Sequence, residues 1–319
     1  MTTPVTSPER LAIPSPRALT ADHTITQPHN TTEGSPARAA NTARNRRARG
    51  CAPRGGARRA RRSGKLLDRR IQAGDRVAVV GAGNGDTVPM RQLGQRAGHV
   101  DLIDLDATAL KRARRRLIRR RNVLNMIVED VTFGSADAIA HATVRDAAPP
   151  PDRSRPDITH AYDVVIADLL FTQLLYPALS DADLSGPVID HALQTHGQPL
   201  TNAVVAWLHA SAPHGLVVQV HDILGWWPGH PKPFKIDDVL VLADHDPAAA
   251  LDLARTGNVP CGCDPRQACA AINATIIDTA LWRWPVRTPR RLPRLRHRRS
   301  NGPHQCPSRF GAQRRTDIY

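Results

Sequence analysis

Five short apolar runs, each followed by enough residues for a helix, occupy the middle of this 319-residue chain. The runs begin at Arg76, His99, Val123, Tyr162 and Gly215. Short continuous apolar runs are typical of strands buried in a parallel sheet, and the stretches between them are typical of crossover helices. The alternation predicts an α/β fold with an open, mostly parallel, Rossmann-like sheet and helices on both faces.

The far edge of this sheet is less clearly encoded. The run ATIIDTALWRWPV, residues 274–286, is a candidate sixth strand, and VLVLADH, residues 239–245, is a candidate partner for it. If VLVLADH does not pair, we expect an incomplete C-terminal edge. The loop at 225–238 holds Trp226, Trp227 and Phe234, which suits either a lid over a substrate or a loop folded onto the core.

Charge divides the chain into three parts. The chain has a formal net charge of +15, but residues 1–70 hold 15 Lys and Arg against 4 Asp and Glu, and residues 287–319 hold 10 against 1. The excess of positive charge therefore lies in the tails, which have too few large apolar side chains to fold. We expect disordered basic tails at 1–72 and 287–319 and one folded domain at 73–286.

A glycine-rich turn follows the first strand. The sequence GAGNGD spans Gly81 to Asp86, where a strand ends and a helix is expected to begin. Glycines at such a turn let a ligand approach backbone N–H groups. Asp104 follows at the end of the second strand, where a carboxylate can accept hydrogen bonds from the two hydroxyls of a ribose. Together they predict an adenosine-binding turn.

The spacing of the glycines discriminates between nucleotides. A dinucleotide-binding turn has the pattern G-x-G-x-x-G, whose third glycine allows close helix packing below a pyrophosphate. This chain has Asp86 at that position, and its pattern is G-x-G-x-G. The substitution favours an adenosine ligand that lacks a diphosphate over NAD.

Four motifs in order resemble those of the class I S-adenosylmethionine-dependent methyltransferases. They are VAVVGAGNGD from Val77, IDLDATAL from Ile103, IVEDVT from Ile127 and YDVVIADLLFTQLL from Tyr162. The resemblance covers about residues 73–225. It implies a Rossmann-like fold, S-adenosyl-L-methionine as the cofactor and transfer of a methyl group. The fourth motif lacks the Asn/Asp-Pro-Pro-Tyr signature of enzymes that methylate nucleobase amines, so the acceptor stays open among small molecules, lipids and proteins.

The resemblance also implies a set of site residues. Asp104 is the expected ribose ligand, Asp130 the contact of the adenine amino group with Val131 packing beside it, and Asp168 faces the methyl-transfer site. The cofactor-binding residues predicted in this way are Gly81, Ala82, Gly83, Asn84, Gly85, Asp104, Leu105, Asp130, Val131 and Asp168. Asp168, His221 and Asp222 are candidate catalytic residues, because they end the fourth and fifth strands.

Two carboxylates near these positions have simpler explanations. Asp106 precedes the helical stretch 107–121 and is expected to cap it, while Asp163 is expected to be a turn residue at the start of the fourth strand. Leu110, Ala113 and Leu117 give that helix an apolar stripe. Its eight basic residues between Lys111 and Arg121 are typical of a solvated outer face, with a nucleic-acid-facing ridge as the alternative.

The cysteines and the absence of long apolar runs limit the class of protein. Cys51, Cys261, Cys263, Cys269 and Cys306 are odd in number and scattered, which suits a reducing cytoplasm, and their spacing predicts neither a disulfide framework nor a metal site. We also expect no membrane segment. Nucleic acid is a less favoured partner of the Arg-rich tails. The alternative functions are an NAD-linked oxidoreductase and a catalytically silent Rossmann-like protein that binds nucleic acid.

Overall fold

Five strands form one parallel sheet, in which their order is 3-2-1-4-5. The structure is a computed structural model, and it describes residues 67, 70–116, 124–149, 161–182, 184–223, 234–255 and 263–279. The strands are β1 (Arg76–Val80), β2 (His99–Asp104), β3 (Leu124–Val128), β4 (Val164–Asp168) and β5 (Leu216–Val220). All four neighbouring pairs run parallel. The predicted Rossmann-like sheet is therefore confirmed.

Helices cover both faces of this sheet, as predicted. In chain order they are α1 (Met90–Arg96), α2 (Ala107–Arg116), α3 (Ser135–Val144), α4 (Tyr176–Asp181), α5 (Gly186–Ala192), α6 (Gln198–Ser211), α7 (Ile236–Ala243), α8 (Pro247–Arg255) and α9 (Pro265–Ala271). Helices α1 and α2 pack on one face of the sheet, and α3 to α6 pack on the other together with α9.

Strand residues alternate between the two cores. In β1, Val77 and Val79 face α1 and α2, whereas Ala78 and Val80 face the opposite layer. Every residue of β4 is buried. A strand covered on both faces needs apolar residues at each position, which is why these runs show no polar alternation.

Helix α2 begins as the sequence predicts. Asp106 accepts hydrogen bonds at Oδ1 from the backbone N–H groups of Thr108, at 2.8 Å, and Ala109, at 3.2 Å. Leu110 and Ala113 of the predicted stripe are buried against the sheet. Leu117 and the end of the predicted helix lie outside the described residues.

The segment VLVLADH was assigned wrongly as a candidate strand. Residues 239–243 belong to α7, and Val239 packs against Ala250 and Ala254 of α8 with Leu242 and Ala243 beside it. Val239, Leu242 and Ala243 have the spacing i, i+3, i+4, which places them on one side of a helix. In the sequence, the run fits a strand equally well, because consecutive apolar residues show neither the helical period of about 3.6 nor the strand period of about 2.

The candidate sixth strand also differs from the prediction over its described part. Helix α9 ends in a turn in which the backbone N–H of Ala274 donates to the carbonyl of Cys269, at 2.9 Å, with Asn273 at φ +55°. This left-handed ending redirects the chain. Residues 274–279 are irregular, and Ile276 and Ile277 are exposed. Among the described residues no strand pairs with the outer edge of β5, and residues 280–286 lie outside them.

The connection between β4 and β5 contains more structure than the single helix predicted there. A 3-10 turn (Phe171–Gln173), α4, α5 and a π-helical turn (Leu193–Gly197) precede α6. These elements are short and interrupted by Pro177 and Pro187, so a helical period never extends far enough to be visible in the sequence. Most of the predicted N-terminal tail, the C-terminal tail and the loop around Trp226 lie outside the described residues. At the end of the predicted N-terminal tail, however, Leu67 and Ile71 are buried in the core that α1 and α2 cover, so the folded part begins earlier than residue 73.

A close approach of two backbones leaves no room for a side chain at one position of the fold. A Cβ atom on Gly215, just before β5, would lie 2.4 Å from the carbonyl oxygen of Asp163. Because that neighbour is backbone, it cannot move without shifting the start of β4. At Gly186 a Cβ would meet nothing within 4 Å.

We therefore expect Gly215→Ala to lower the free energy of unfolding by about 1–3 kcal/mol, the usual cost of overpacking a filled space. The matched control is Gly186→Ala, which should leave stability unchanged or slightly raised. Urea unfolding followed by circular dichroism measures both. Equal effects of the two substitutions would contradict the assigned packing of Gly215.

Candidate functional site

The carboxyl ends of the strands bring the predicted residues to one edge of the sheet. Val80 pairs with Ile103 of β2 and with Ala167 of β4, so the glycine turn lies between the ends of those two strands. Asp168 pairs with Val220, which precedes His221. Ligands bind at this edge of open α/β sheets, at the point where strand order reverses.

The turn from Gly81 to Gly85 requires its three glycines. Gly81, Gly83 and Gly85 have φ values of +73°, +48° and +68°, in the left-handed region that residues with a Cβ rarely adopt. A Cβ on Gly81 would lie 2.9 Å from the carbonyl oxygen of Asp168. A Cβ on Gly85 would lie 3.2 Å from the Cβ of Ala113 on α2. The absence of a side chain at Gly81 allows the turn to lie against the end of β4, and its absence at Gly85 allows the turn to pack on α2.

Asp104 joins the end of β2 to this turn. Its Oδ2 accepts a hydrogen bond of 2.8 Å from the backbone N–H of Gly83, and its Oδ1 accepts one of 2.8 Å from the backbone N–H of Asp106. Asp104 therefore holds the glycine turn and the start of α2 in place. Its role toward a ribose stays a prediction.

Burial makes Asp104 a weaker acid than usual. Loss of hydration raises its pKa to about 6, although the two backbone hydrogen bonds act in the opposite direction, and the charge of Asp106 adds to the increase. Asp104 is thus ionised at neutral pH and becomes protonated in mild acid. Binding of any ligand that donates hydrogen bonds to both oxygens of Asp104 should weaken below about pH 6.

The other predicted cofactor residues line the same edge. Ala82 is buried in the core below the turn, and Leu105 packs against the opposite core. Asn84 accepts a hydrogen bond of 3.2 Å from the Arg112 guanidinium on α2. Val131 is buried beside β3.

Asp130 closes the loop after β3. Its carboxylate accepts hydrogen bonds from the backbone N–H of Thr132, at 2.8 Å, from the Thr132 hydroxyl, and from the backbone N–H of Gly134, at 2.8 Å. These donors occupy much of its capacity. Its role toward an adenine amino group stays a prediction, and the loop contacts are a role that the sequence alone did not reveal.

Asp168 connects the fourth strand to the glycine turn. It is buried, and the Thr87 hydroxyl donates a hydrogen bond to its Oδ2. Leu169, the next residue, has φ +52° and donates its N–H to the Val220 carbonyl at 2.8 Å. A leucine in the left-handed region is strained, and such strain is common at functional sites. Thr87 was missed, because no sequence motif marks a hydroxyl in the stretch between the glycine turn and α1.

His221 lies beside this turn at the end of β5. Its ring meets the Phe171 ring edge to face, with centroids 6.2 Å apart. Burial lowers the pKa of His221, while a hydrogen bond to the backbone of Asp222 and the charge of Asp264 partly offset that effect. The imidazole is therefore neutral at pH 7 and able to accept a proton. Asp222 itself is exposed, which makes it the weaker of these two candidates.

The start of α9 covers the same region and was not predicted. Asp264 caps α9 by accepting from the N–H groups of Arg266, at 2.9 Å, and Gln267, at 3.4 Å. Gln198 at the start of α6 holds Asp264 in place with two hydrogen bonds to its backbone, of 2.8 and 2.9 Å. The charges of Asp264 and Arg266 both act on His221. Contacts between residues so far apart in sequence leave no local signal.

The two described cysteines are free thiols. Cys269 lies in the core behind β5, 3.3 Å from the Gln219 side-chain nitrogen, and burial raises the pKa of its thiol. Cys51, Cys261 and Cys306 lie outside the described residues. Across the described ranges, no helix is long and apolar enough to cross a bilayer.

Comparison with known proteins gives distant matches. No family model and no curated protein matches the chain. A putative zinc-dependent alcohol dehydrogenase from Rhodobacter sphaeroides is 14% identical over 70% of this chain and 73% of its own, with a TM-score of 0.38. A SAM dependent methyltransferase from Aquifex aeolicus is 11% identical over 64% of this chain and 86% of its own, with a TM-score of 0.34.

A third match is a chain in the complex between the Haloferax volcanii Trm112 methyltransferase activator and a putative methyltransferase. It is 17% identical over 51% of this chain, with a TM-score of 0.28, and this chain spans 54% of its length. The matched proteins differ in described activity, and their identities and TM-scores are low. The function must therefore be argued from the residues of the site.

The raised pKa of Asp104 predicts how stability depends on pH. The folded protein binds this proton more tightly than the unfolded chain, whose ordinary value is 3.8, so stability increases as pH falls through about 6 and the gain is complete below 4. The gain is on the order of 2–3 kcal/mol. Urea unfolding between pH 7 and 4 should show it in the wild type and not in Asp104→Ala. Parallel pH profiles of the two proteins would contradict the assignment.

Proposed function

We propose that this domain binds S-adenosyl-L-methionine at the carboxyl edge of β1, β2 and β4 and transfers its methyl group to an acceptor. The observation that carries the proposal is the position of Asp104. Its carboxylate lies at the end of β2 and accepts a hydrogen bond from the glycine turn through the N–H of Gly83. A ribose diol fits that combination.

The shape of the turn favours a ligand without a pyrophosphate. In a dinucleotide site the helix begins at the glycine turn, and its N-terminus faces the diphosphate. Here α1 begins at Met90, five residues beyond Gly85, and Pro89 precedes it without a side-chain cap. Asp86 adds a negative charge within that interval, which repels phosphates. Both features disfavour NAD.

The residues around Asp168 suit methyl transfer. The reaction is a direct displacement in which the acceptor attacks the methyl carbon, the methyl–sulfur bond breaks and neutral sulfur leaves, so it depends mainly on alignment. A base is needed only where the acceptor carries a proton of high pKa. His221 is neutral and close to the Phe171 ring, so it can receive such a proton. The acceptor itself is open among small molecules, lipids and proteins.

Ligand-induced stabilisation tests the cofactor. S-adenosylhomocysteine, at about 100 times its Kd, should stabilise the wild-type protein by roughly 2–3 kcal/mol in a thermal shift experiment. Asp104→Ala should lose most of that stabilisation. The matched control is Asp101→Asn, a buried aspartate on the same strand but at its amino end, where it bonds Tyr162 and His99. Stabilisation by NAD but not by S-adenosylhomocysteine would refute the proposal.

Binding should also depend on pH with the sign set by Asp104. Above pH 6 the ionised carboxylate accepts from both ribose hydroxyls, whereas below pH 6 one oxygen carries a proton and cannot. We expect the affinity for S-adenosylhomocysteine, measured by calorimetry, to fall as pH decreases from 7 to 5. In Asp101→Asn the same decrease should persist. Affinity that stays constant over this range would exclude Asp104 as the ribose ligand.

A further inference from the structure

The crossover helices on the two faces of the sheet carry opposite charge. Helices α1 and α2 together contain seven Lys and Arg residues and no Asp or Glu. Helices α3 to α6, on the other face, contain Asp137, Asp181 and Asp190 and no Lys or Arg. A bias toward Arg in the coding sequence would act on both faces equally. The asymmetry therefore needs an explanation specific to α1 and α2.

The charged side chains of α1 and α2 lie on the outside. Leu93, Leu110 and Ala113 turn inward to the sheet and are buried. The outer surface of the two helices, here named the basic face, consists of Arg91, Gln95, Arg96, Lys111, Arg112, Arg114 and Arg115, which are exposed or half-buried. The nearest carboxylates in sequence are Asp86, which is half-buried, and Asp104 and Asp106, which are buried.

This arrangement weakens α2 when the protein is alone. Lys111 and Arg115 are four residues apart, and Lys111 and Arg114 are three apart, so like charges lie next to each other on the helix surface. Such pairs destabilise a helix, whereas an acidic residue at either spacing would stabilise it. A polyanion laid along the basic face would relieve this repulsion.

The chemistry of the basic face fits phosphates better than a membrane surface. Arg presents a planar fork that pairs with phosphate oxygens in two hydrogen bonds, and Gln95 adds amide donors. Surfaces that bind lipid combine cations with exposed apolar side chains that enter the bilayer. The large apolar residues exposed in the described part of the chain, among them Val144, Val188 and Val241, all lie outside α1 and α2.

We infer that the basic face of α1 and α2 binds the phosphodiester backbone of a nucleic acid. The face adjoins the proposed cofactor turn, because Arg112 contacts Asn84 and Gly85 rests on Ala113. Binding here is independent of the tails and of the proposed methyl transfer. It would place a nucleic acid beside the glycine turn.

Salt-dependent binding tests this inference on the full chain. The probe is a fluorescein-labelled single-stranded oligouridine, followed by anisotropy over a range of salt concentrations. The triple variant Lys111→Gln, Arg114→Gln, Arg115→Gln keeps good helix formers and removes three charges. We expect its affinity at low salt to fall at least about tenfold and the slope of log K against log salt to decrease by about 2.

The matched control removes three charges from the C-terminal tail, as Arg294→Gln, Arg296→Gln, Arg298→Gln. The inference predicts less than half the effect for this variant. An equal or larger loss of oligouridine affinity in the tail variant would overturn the inference. So would a result in which the basic-face substitutions weaken binding to phosphatidylserine vesicles but leave oligouridine binding unchanged. Stabilisation by S-adenosylhomocysteine should be unchanged in both variants, which separates this test from that of the proposed function.

Crosslinking of the wild-type chain avoids any effect of substitutions on folding. An oligouridine that contains 4-thiouridine is irradiated on the protein, and the crosslinked peptides are identified by mass spectrometry. Crosslinks to peptides within residues 90–116 are expected. Crosslinks confined to residues 1–72 and 287–319 would overturn the inference.

Discussion

The carboxylate of Asp104 is the interaction on which the rest of the site depends. Through the N–H of Gly83 it fixes the glycine turn, and through the N–H of Asp106 it fixes the start of α2. Asp106 in turn caps that helix. One buried anion therefore positions two crossover connections, and the backbone donors that it orders offset only part of its hydration cost, as its raised pKa shows. The same group is the ribose ligand of the proposed function, so that proposal couples stability and binding at a single residue.

The opposite edge of the sheet has its own buried carboxylate. Asp101 accepts a hydrogen bond from the Tyr162 hydroxyl at 2.8 Å and contacts His99 at 2.8 Å, with the Arg76 guanidinium 3.9 Å away. Burial alone would raise the pKa of Asp101, but these partners lower it overall. Asp101 is fully partnered by residues at the starts of three strands and serves to align them. The contrast in pKa separates a structural aspartate from a candidate binding aspartate on the same strand.

Much of the fold was predictable because the signals are local. The five strands, the cap at Asp106 and the glycine turn are each encoded within a few residues, and their order determines the sheet. Of the two alternatives for the sheet edge, the pairing of VLVLADH was wrong because a short apolar run fits both periods. Helices α4, α5 and α9 were missed because they are short. The site residues were likewise predictable where their signal is local. Sequence placed Asp104, Asp168 and His221 at one edge, but Thr87, Phe171 and Gln198 become visible only when the chain is folded.

The pair of hydrogen bonds between Gln198 and Asp264 has a consequence for how this chain can vary. It joins the start of α6 to the start of α9 across 66 residues, so α9 is held against α6 by an amide rather than by the chain that precedes α9. The entropy of closing a loop grows only slowly with its length. The chain between Asp222 and Asp264 can therefore vary in length at little cost to the site. This makes the segment the natural place for related chains to diverge in length and for an engineer to graft a new acceptor-binding loop.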